Sequence, residues 1–218
     1  SHEIRTPLNA VIGLSHILGI NEPREDQIQN IEALNYSGKT LLDLLNNVLD
    51  FSKMQFTKIE LDNIITDISA DAKQLEKTYK GSCLRKGIAM NLEIDDHIPF
   101  VMLDVVRFNQ VINNLVSNAI KFTDNGSVTL IIKEKKRIKD NITLHIEVKD
   151  TGIGIPKNKR KIIWNPFTQV SNTTNRIYGG SGLGLPIVNS ILEAMKARVI
   201  INSIKGKGSR FHFNLKLK

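Results

Sequence analysis

The sequence predicts an α+β chain, in which an antiparallel helical hairpin is followed by an α/β sandwich that contains a mixed sheet. Over residues 25–56, apolar and small residues recur at alternating steps of three and four, the heptad pattern of a helix that packs against another helix. After residue 57, strand-like and helix-like segments alternate, and no dinucleotide-binding glycine fingerprint follows the first strand. We therefore expect two domains, a helical hairpin over residues 1–56 and a sandwich over residues 57–218.

The hairpin is predicted to consist of one helix over residues 1–19 and a second over residues 25–56. Two helices of this kind bury too little apolar surface to stand alone, so we expect a second copy of the chain to complete a four-helix bundle. The heptad seam of the second helix consists of Ile31, Leu34, Gly38, Leu41, Leu45, Val48 and Ser52.

The sandwich divides into segments with strand or helix patterns. The most regular is a helix over residues 104–123, whose apolar residues recur at three- and four-residue steps and form one buried face. Residues 151–181 are expected to be loop-rich. The other predicted strands lie at 57–61, 87–94, 126–136, 142–149, 197–203 and 209–217, and the other predicted helices at 64–84 and 183–195.

Composition excludes several classes of protein. The formal net charge is +8, but residues 1–58 hold 5 Lys/Arg against 7 Asp/Glu, and residues 59–218 hold 25 against 15. Much of the basic excess lies in two short runs, 133–139 and 157–161, which are predicted to be a hairpin end and a loop and which we interpret as solvated faces. Without a nucleic-acid fold signature, we expect no nucleic-acid partner.

Cysteine content and hydropathy also limit the location. The single cysteine, Cys83, excludes an internal disulfide and a cysteine-based zinc site, and it fits a reducing compartment. No apolar run approaches the length of a membrane span, and no signal peptide is recognisable, so we expect no direct membrane contact by this part of the protein.

Four polar residues of the 104–123 helix stand about one turn apart on the same side: Gln110, Asn114, Asn118 and Lys121. A carboxamide oxygen can bind Mg²⁺, which takes its other ligands from water and substrate phosphates, and a lysine at the end of the row can reach those phosphates. On its own, the row is more typical of solvated amides or of amides that bond to a neighbouring loop.

Two glycine clusters follow this helix, DTGIGIP at 150–156 and GGSGLGLPIV at 179–188. The first comes after a β-rich run, and the second opens a helix whose free N–H groups and dipole can meet phosphates. Each cluster alone is compatible with an ordinary turn. Together with the asparagine row, they indicate a nucleotide-binding site.

The order of SHEIRTPLN at 1–9, the asparagine helix and the two glycine clusters resembles the catalytic core of two-component sensor histidine kinases. The resemblance covers nearly all of the chain. It implies a dimerisation and phosphoacceptor hairpin, an ATP-binding domain of the Bergerat or GHKL type, and Mg²⁺ and ATP as cofactors. It also implies transfer of the phosphoryl group to an aspartate in the receiver domain of a response regulator, with phosphatase activity in addition.

In the hairpin, the resemblance implies catalytic roles for His2, Glu3 and Thr6. His2 is the expected phosphoacceptor, since a neutral imidazole nitrogen can attack a phosphoryl group. Glu3 is its acid/base partner, and Thr6 positions water during dephosphorylation of a response regulator.

In the sandwich, the resemblance makes Asn118 the principal Mg²⁺ ligand, supported by Asn114, and places Lys121 on the phosphates. Asp150 would accept a hydrogen bond from the adenine amino group. The complete expected ATP site comprises Asn114, Asn118, Lys121, Asp150, Gly152, Gly154, Ile155, Phe167, Arg176, Gly180, Gly182, Leu183 and Gly184, with Phe167 as a hydrophobic hook for a lid and Arg176 on the γ-phosphate. The chain departs from the usual family pattern at Trp164 and Asn165, which precede Pro-Phe, and at Pro186, where many relatives carry alanine.

Two other functions remain open. The first is a GHKL ATPase like those of heat-shock chaperones, type II topoisomerases and mismatch-repair proteins, which carry a glutamate where this chain has Asn114. The second is a non-catalytic module that binds ATP in order to dimerise. If the kinase interpretation is correct, the chain is the cytoplasmic portion of a membrane-associated or membrane-spanning parent protein.

Overall fold

The computed structural model describes residues 2–56, 58–168 and 181–218, although only the backbone is described for His2 and Gln55. The chain divides after Phe56 into two compact units. The first is helical and the second contains helices and a mixed sheet, so the predicted α+β fold class is confirmed. Among the described residues, none of the helices combines the length and apolar character needed to cross a bilayer.

The first unit is a hairpin of two helices, α1 (His2–Ile20) and α2 (Glu25–Phe56). Gly38 of α2 is buried against Ile12 of α1, and a Cβ at position 38 would lie 2.7 Å from Ile12 Cγ1. Ser15, which is 3% exposed, places its Oγ 2.9 Å from Asn35 Oδ1 on the other helix. The two helices therefore approach closely around small residues.

The predicted seam of α2 divides into two stripes. Gly38 is buried and Ile31 and Leu45 are partly buried, whereas Leu34 and Leu41 are 51% and 52% exposed. The first stripe packs within the hairpin. The second remains an apolar surface of this unit.

The second unit begins with a small two-stranded sheet and continues as an α/β sandwich. In chain order the elements are β1 (Ile64–Thr66), α3 (Ile68–Lys86), β2 (Ala89–Ile94), β3 (Val101–Leu103), α4 (Val105–Lys121), β4 (Ser127–Ile138), β5 (Asn141–Asp150), a 3₁₀ turn (Ile162–Trp164), α5 (Gly184–Ala194), β6 (Ile200–Ile204) and β7 (Gly208–Leu217). The larger sheet has five strands in the order β2-β4-β5-β7-β6, in which the neighbours β2 and β4 pair in parallel and the other described neighbours pair antiparallel.

The core lies between the helices and one face of the five-stranded sheet. In β5, alternate residues from Ile142 to Asp150 are buried, and the residues between them are partly exposed, as expected for a sheet covered on one side. Helix α4 contributes six fully buried apolar residues and contacts β4, β5 and α5. This packing fixes α4 over the sheet, with its polar row directed away from the core.

Two expectations for the start of this unit were wrong. The predicted strand at 57–61 is absent from the described residues 58–61, and the predicted helix at 64–84 begins only at Ile68. Residues Ile64–Thr66 instead form β1, which pairs with the unpredicted strand β3. Asp67 ends the strand and caps α3, because its side chain accepts a hydrogen bond from the N–H of Ala70.

Candidate functional site

The polar row of α4 faces the start of α5. Asn114 donates its Nδ2 to the carbonyl oxygen of Gln110 at 2.9 Å, which fixes its amide on the helix surface. A Cβ at Gly184, the first residue of α5, would lie 2.8 Å from Asn114 Oδ1 and 3.7 Å from Asn118 Nδ2. The structure therefore brings together both predicted amides and the second glycine cluster.

A helix N-terminus beside two amides suits an anion. The first N–H groups of a helix have no partner within the helix, and its dipole favours negative charge there. Pro186 is the third residue of α5, where its missing N–H removes no hydrogen bond that the helix itself would form. This departure from the family pattern leaves the start of α5 intact.

The C-terminal end of α4 carries Lys121 and Phe122. Burial lowers the pKa of the Lys121 ammonium group, whose Nζ lies 5.0 Å from the centre of the Phe122 ring. Lys86 at the end of α3 donates to the carbonyl oxygens of Ile120 and Lys121 at 2.8 and 2.9 Å. Its Nζ also lies 3.4 Å from Asp124, so Lys86 secures the end of α4.

Asp150 is the last residue of β5 and is 7% exposed. Its Oδ1 accepts hydrogen bonds from the N–H groups of Gly152 at 2.9 Å and Ser209 at 3.1 Å. Burial raises the pKa of the Asp150 carboxyl group, and the bonds from Gly152 and Ser209 act in the opposite direction. The carboxylate is thus held in one orientation by backbone donors from two segments.

The first glycine cluster joins Asp150 to the end of α4. Ile153 donates its N–H to the carbonyl oxygen of Phe122 at 3.1 Å. At Gly152 a Cβ would collide with the same Phe122 carbonyl, and at Gly154 the backbone has φ +64 and a Cβ would collide with the Ile204 carbonyl. Glycine is required at position 152 because the neighbouring backbone approaches too closely for a side chain. At position 154 it is required for the same reason and because of the positive φ.

The two ends of the predicted lid meet beside α5. Phe167 is 64% exposed, and its N–H donates to the carbonyl oxygen of Gly182 at 3.2 Å. Leu183 is fully buried behind this junction. Arg176 and Gly180, which we expected in the same site, lie outside the described residues.

The hairpin residues are distributed on α1. Glu3 and Thr6 are both exposed, and Arg5 donates from Nη2 to Asn46 Oδ1 at 3.3 Å across the hairpin. The His2 side chain lies outside the described residues. The structure therefore locates Glu3 and Thr6 on the surface of α1.

The donor set fits a magnesium ion that arrives with a nucleotide. Among the described residues, no group of three or more His, Cys, Asp or Glu side chains could hold a metal ion. Asn114 and Asn118 offer only neutral oxygens, whereas Mg²⁺ in nucleotide sites takes most of its ligands from phosphates and water.

Comparisons with known proteins agree with this geometry. A family model described as "Histidine kinase-, DNA gyrase B-, and HSP90-like ATPase" matches residues 103–218. A second, described as "His Kinase A (phospho-acceptor) domain", matches residues 1–57. The chain belongs to the sensor histidine kinase family. The sandwich of this histidine kinase is accordingly an ATP-binding domain.

Relatives of this kinase cover both units. The "Autoinducer 2 sensor kinase/phosphatase LuxQ" of Vibrio parahaemolyticus is 39% identical over 100% of the chain and 26% of its own length. The "Signal transduction histidine-protein kinase BarA" of Escherichia coli K12 is 33% identical over 100% of the chain and 24% of its own length. The kinase chain therefore spans about a quarter of the length of these curated relatives.

Solved structures match this chain in fold. Full-length ShkA in complex with AMPPNP has a TM-score of 0.79 at 31% identity, over 99% of this chain and 44% of ShkA. Acinetobacter baumannii histidine kinase AdeS has a TM-score of 0.63 at 22% identity, over 100% of this chain and 98% of AdeS, which shows the fold alone.

Sequence reasoning missed three residues that support the site of this kinase: Lys86, Ser203 and Ser209. Their partners are 34 to 59 positions away in the sequence. Only Lys86 had a local signal, as a basic residue in the last turn of a helix.

Proposed function

We propose that the chain is a Mg-ATP-dependent protein-histidine kinase that phosphorylates His2 and passes the phosphoryl group to an aspartate in the receiver domain of a response regulator. Residues 1–56 would form the phosphoacceptor and dimerisation domain, and residues 57–218 the ATP-binding catalytic domain. The observation that carries the proposal is the approach of the Asn114 and Asn118 amides to the start of α5. This arrangement suits a metal-bound triphosphate.

The proposed binding mode assigns one part of the nucleotide to each side of this site. Asp150 accepts the adenine amino hydrogen, which selects adenine over guanine. Asn118 would hold Mg²⁺ through its amide oxygen, with Asn114 in support, and Lys121 would contact the phosphates. When bound, Mg²⁺ neutralises phosphate charge and orients the triphosphate. A neighbouring phosphate favours the charged form of Lys121, which its burial in the chain alone disfavours.

The lid would complete this binding mode. Phe167 acts as its hydrophobic hook and Arg176 reaches the γ-phosphate. Gly180, Gly182, Leu183 and Gly184 bring the chain into α5, and Gly152, Gly154 and Ile155 line the base.

In the reaction, a neutral imidazole nitrogen of His2 attacks the γ-phosphorus of ATP. A nitrogen–phosphorus bond forms, the bond to the β–γ bridging oxygen breaks, and ADP leaves. Glu3 accepts the proton of the other imidazole nitrogen as positive charge develops on the ring. In the reverse direction of signalling, Thr6 orients water for dephosphorylation of the response regulator, a second activity favoured by the name "sensor kinase/phosphatase" of a relative.

The hairpin would form a homodimer. Leu34 and Leu41 of α2 are half exposed and seven residues apart, and Ile4, Val11 and Leu18 of α1 show the same spacing and similar exposure. Two such stripes would be covered in a four-helix bundle with a second copy. We further propose a cytoplasmic location beneath a membrane-associated parent protein, with which the buried free thiol of Cys83 is compatible.

The alternatives differ in residue 114 and in the fate of phosphate. A GHKL ATPase needs a general base to activate water, and an asparagine amide at position 114 cannot supply one. A non-catalytic ATP-binding dimer would bind ATP without labelling any histidine. Covalent labelling therefore separates all three functions.

The test is incubation of the full chain with Mg²⁺ and γ-labelled ATP. We expect acid-labile, base-stable label on the wild type and none on His2→Gln, because the nucleophile is removed. His16→Gln, a change at an exposed histidine of the same helix, is the matched control and should keep the label. Undiminished label on His2→Gln would contradict the assigned nucleophile.

The metal ligand is tested by ATP titration with and without Mg²⁺. Asn118→Ala should abolish the metal-dependent part of the affinity, whereas Asn91→Ala, at an exposed position of β2, should not.

A mixture of His2→Gln and Asn118→Ala chains reports whether one protomer labels its partner. Label restored in the mixture would demonstrate both the dimer and transfer in trans.

A further inference from the structure

Residues 150–156 and the β6–β7 hairpin meet around a buried serine, Ser203. It is 5% exposed and lies opposite Ser209 in the β6–β7 register. Its Oγ accepts the N–H of Ile155 at 2.7 Å and lies 3.0 Å from both the Gly208 carbonyl oxygen and Ser209 Oγ. One hydroxyl thus contacts three groups from two segments.

Ser209 links this hydroxyl to the Asp150 carboxylate. Its Oγ contacts Ser203 Oγ, and its backbone N–H donates to Asp150 Oδ1 at 3.1 Å. Ser203 is therefore separated from the Asp150 carboxylate by a single residue.

The number of available protons decides how these bonds are shared. A hydroxyl group donates only one hydrogen. Ser203 can donate its hydrogen to the Gly208 carbonyl oxygen or to Ser209 Oγ. If it donates to Gly208, the hydrogen of the bond between the two serines comes from Ser209. In either case the Ser203 hydroxyl fixes the position of Ser209, whose backbone N–H reaches the Asp150 carboxylate.

The backbone of Ser203 is also secured to the same loop. Arg160 donates from Nη2 to the Ser203 carbonyl oxygen and from Nε to the Ile155 carbonyl oxygen at 3.3 Å. Ser203 is therefore held in place on the strand while its hydroxyl acts on the loop.

We propose that Ser203 is a positioning residue for adenine recognition: through Ser209 it orients Asp150, and through the Ile155 N–H it fixes the loop that carries the first glycine cluster. Ser203 itself does not touch the nucleotide. This inference rests on the proposed function, since it requires Asp150 to accept the adenine amino hydrogen.

The test compares ATP with inosine triphosphate, which lacks the 6-amino group, in equilibrium binding to the full chain. Wild type should prefer ATP. Ser203→Ala removes the hydroxyl that contacts Ser209, so Asp150 loses part of its support and the ATP dissociation constant should rise about tenfold. The dissociation constant for inosine triphosphate should change much less. The preference for ATP, measured as the ratio of the inosine triphosphate dissociation constant to the ATP dissociation constant, should therefore decrease. A substitution that merely loosened the domain would weaken both nucleotides equally.

Two further variants make the test decisive. Ser203→Cys is nearly isosteric but a weak donor and acceptor, so it should narrow the ratio even if Ser203→Ala folds poorly. Ser190→Ala removes a hydroxyl whose bond, at 3.2 Å, goes to the Pro186 carbonyl within α5, and it should leave the ratio unchanged.

The possible failures are distinguishable. Equal affinity of the wild type for the two nucleotides would contradict the role of Asp150 and with it this part of the proposed function. A wild type that prefers ATP, together with Ser203 variants that keep the same ratio or weaken both nucleotides alike, would overturn the positioning role alone.

Discussion

The Asp150 carboxylate shows how a single residue can couple binding to pH. Burial raises its pKa, whereas an ionised carboxylate is the better acceptor for an amino group. As the pH is lowered, we therefore expect ATP affinity to begin to fall at a higher pH than it would if this aspartate were exposed and had an ordinary pKa. Calorimetric titrations at decreasing pH measure this effect. Asp150→Asn, whose side chain does not titrate, shows how much of the pH dependence of ATP affinity comes from the nucleotide phosphates. If wild type and Asp150→Asn showed the same pH dependence, the prediction would be refuted.

A second residue-scale prediction concerns the α3–α4 contact. Asn109 Nδ2 donates to Asp71 Oδ1 at 2.9 Å, but Asp71 Oδ2 and Asn109 Oδ1 are buried without a hydrogen-bond partner among the described residues. Asp71→Asn keeps the acceptor and replaces the unpaired charged oxygen by an amide nitrogen. We expect the free energy of unfolding to rise by about 1 kcal/mol. Urea denaturation measures it.

The reciprocal change supplies the control for this pair. Asn109→Asp places two carboxylates together and removes the only donor, so it should destabilise the domain. A loss of stability in Asp71→Asn would show that the unpaired oxygen has a partner such as bound water.

Individual residues were predictable where their role is local. The DTGIGIP motif that begins at Asp150 could be recognised because its residues are contiguous in the sequence, and the role expected of Asp150 came from the family resemblance. Ser203 could not, since its importance arises from Ile155, which is 48 positions away and approaches only after the sheet has formed.

At the scale of the element, the position of α4 depends on a lysine from another helix. Lys86 donates to two terminal carbonyl groups of α4, where the helix dipole also favours positive charge. Lys86→Met keeps the apolar stem and removes the donors. We expect a loss of about 1–2 kcal/mol in the free energy of unfolding and weaker ATP binding, because Lys121 and Phe122 lie at the end that is released.

Thermal unfolding with and without ATP measures both effects. Lys77→Met, at an exposed lysine of the same helix, is the matched control. If the two variants behave alike, Lys86 does not secure the end of α4.

Long elements were predictable and short ones were not. Helix α4 and strands β4 and β5 have many periods of their hydrophobic pattern. Strands β1 and β3 have three residues each, and β1 exists because β3 pairs with it. Asp67 was the local signal from which the start of α3 could have been predicted at residue 68 instead of 64, because its side chain caps the helix.

At the scale of the whole molecule, the exposed stripe on α2 predicts assembly. Leu41→Glu places a charge at a position that the second copy would bury, so the dissociation constant of the dimer should rise about 100-fold or more. Analytical ultracentrifugation measures it. Tyr36→Glu alters a side chain that is 72% exposed and lies off the stripe, and it should leave the dimer unchanged. Equal association of the two variants would place the interface elsewhere.

The division into a hairpin and a mixed-sheet unit was predictable because heptad and alternating patterns occupy separate parts of the sequence. The division of the α2 seam into two stripes was not predictable from the sequence. The heptad pattern does not say which apolar residues face α1 and which face outward, and this becomes clear only from the close contact of Gly38 with α1.

The bond between the Phe167 N–H and the Gly182 carbonyl closes a loop at its base. Each doubling in the length of such a loop costs only about 0.6 kcal/mol. Insertions or exchanges between these two anchors should therefore leave the base pocket and the amide row almost undisturbed.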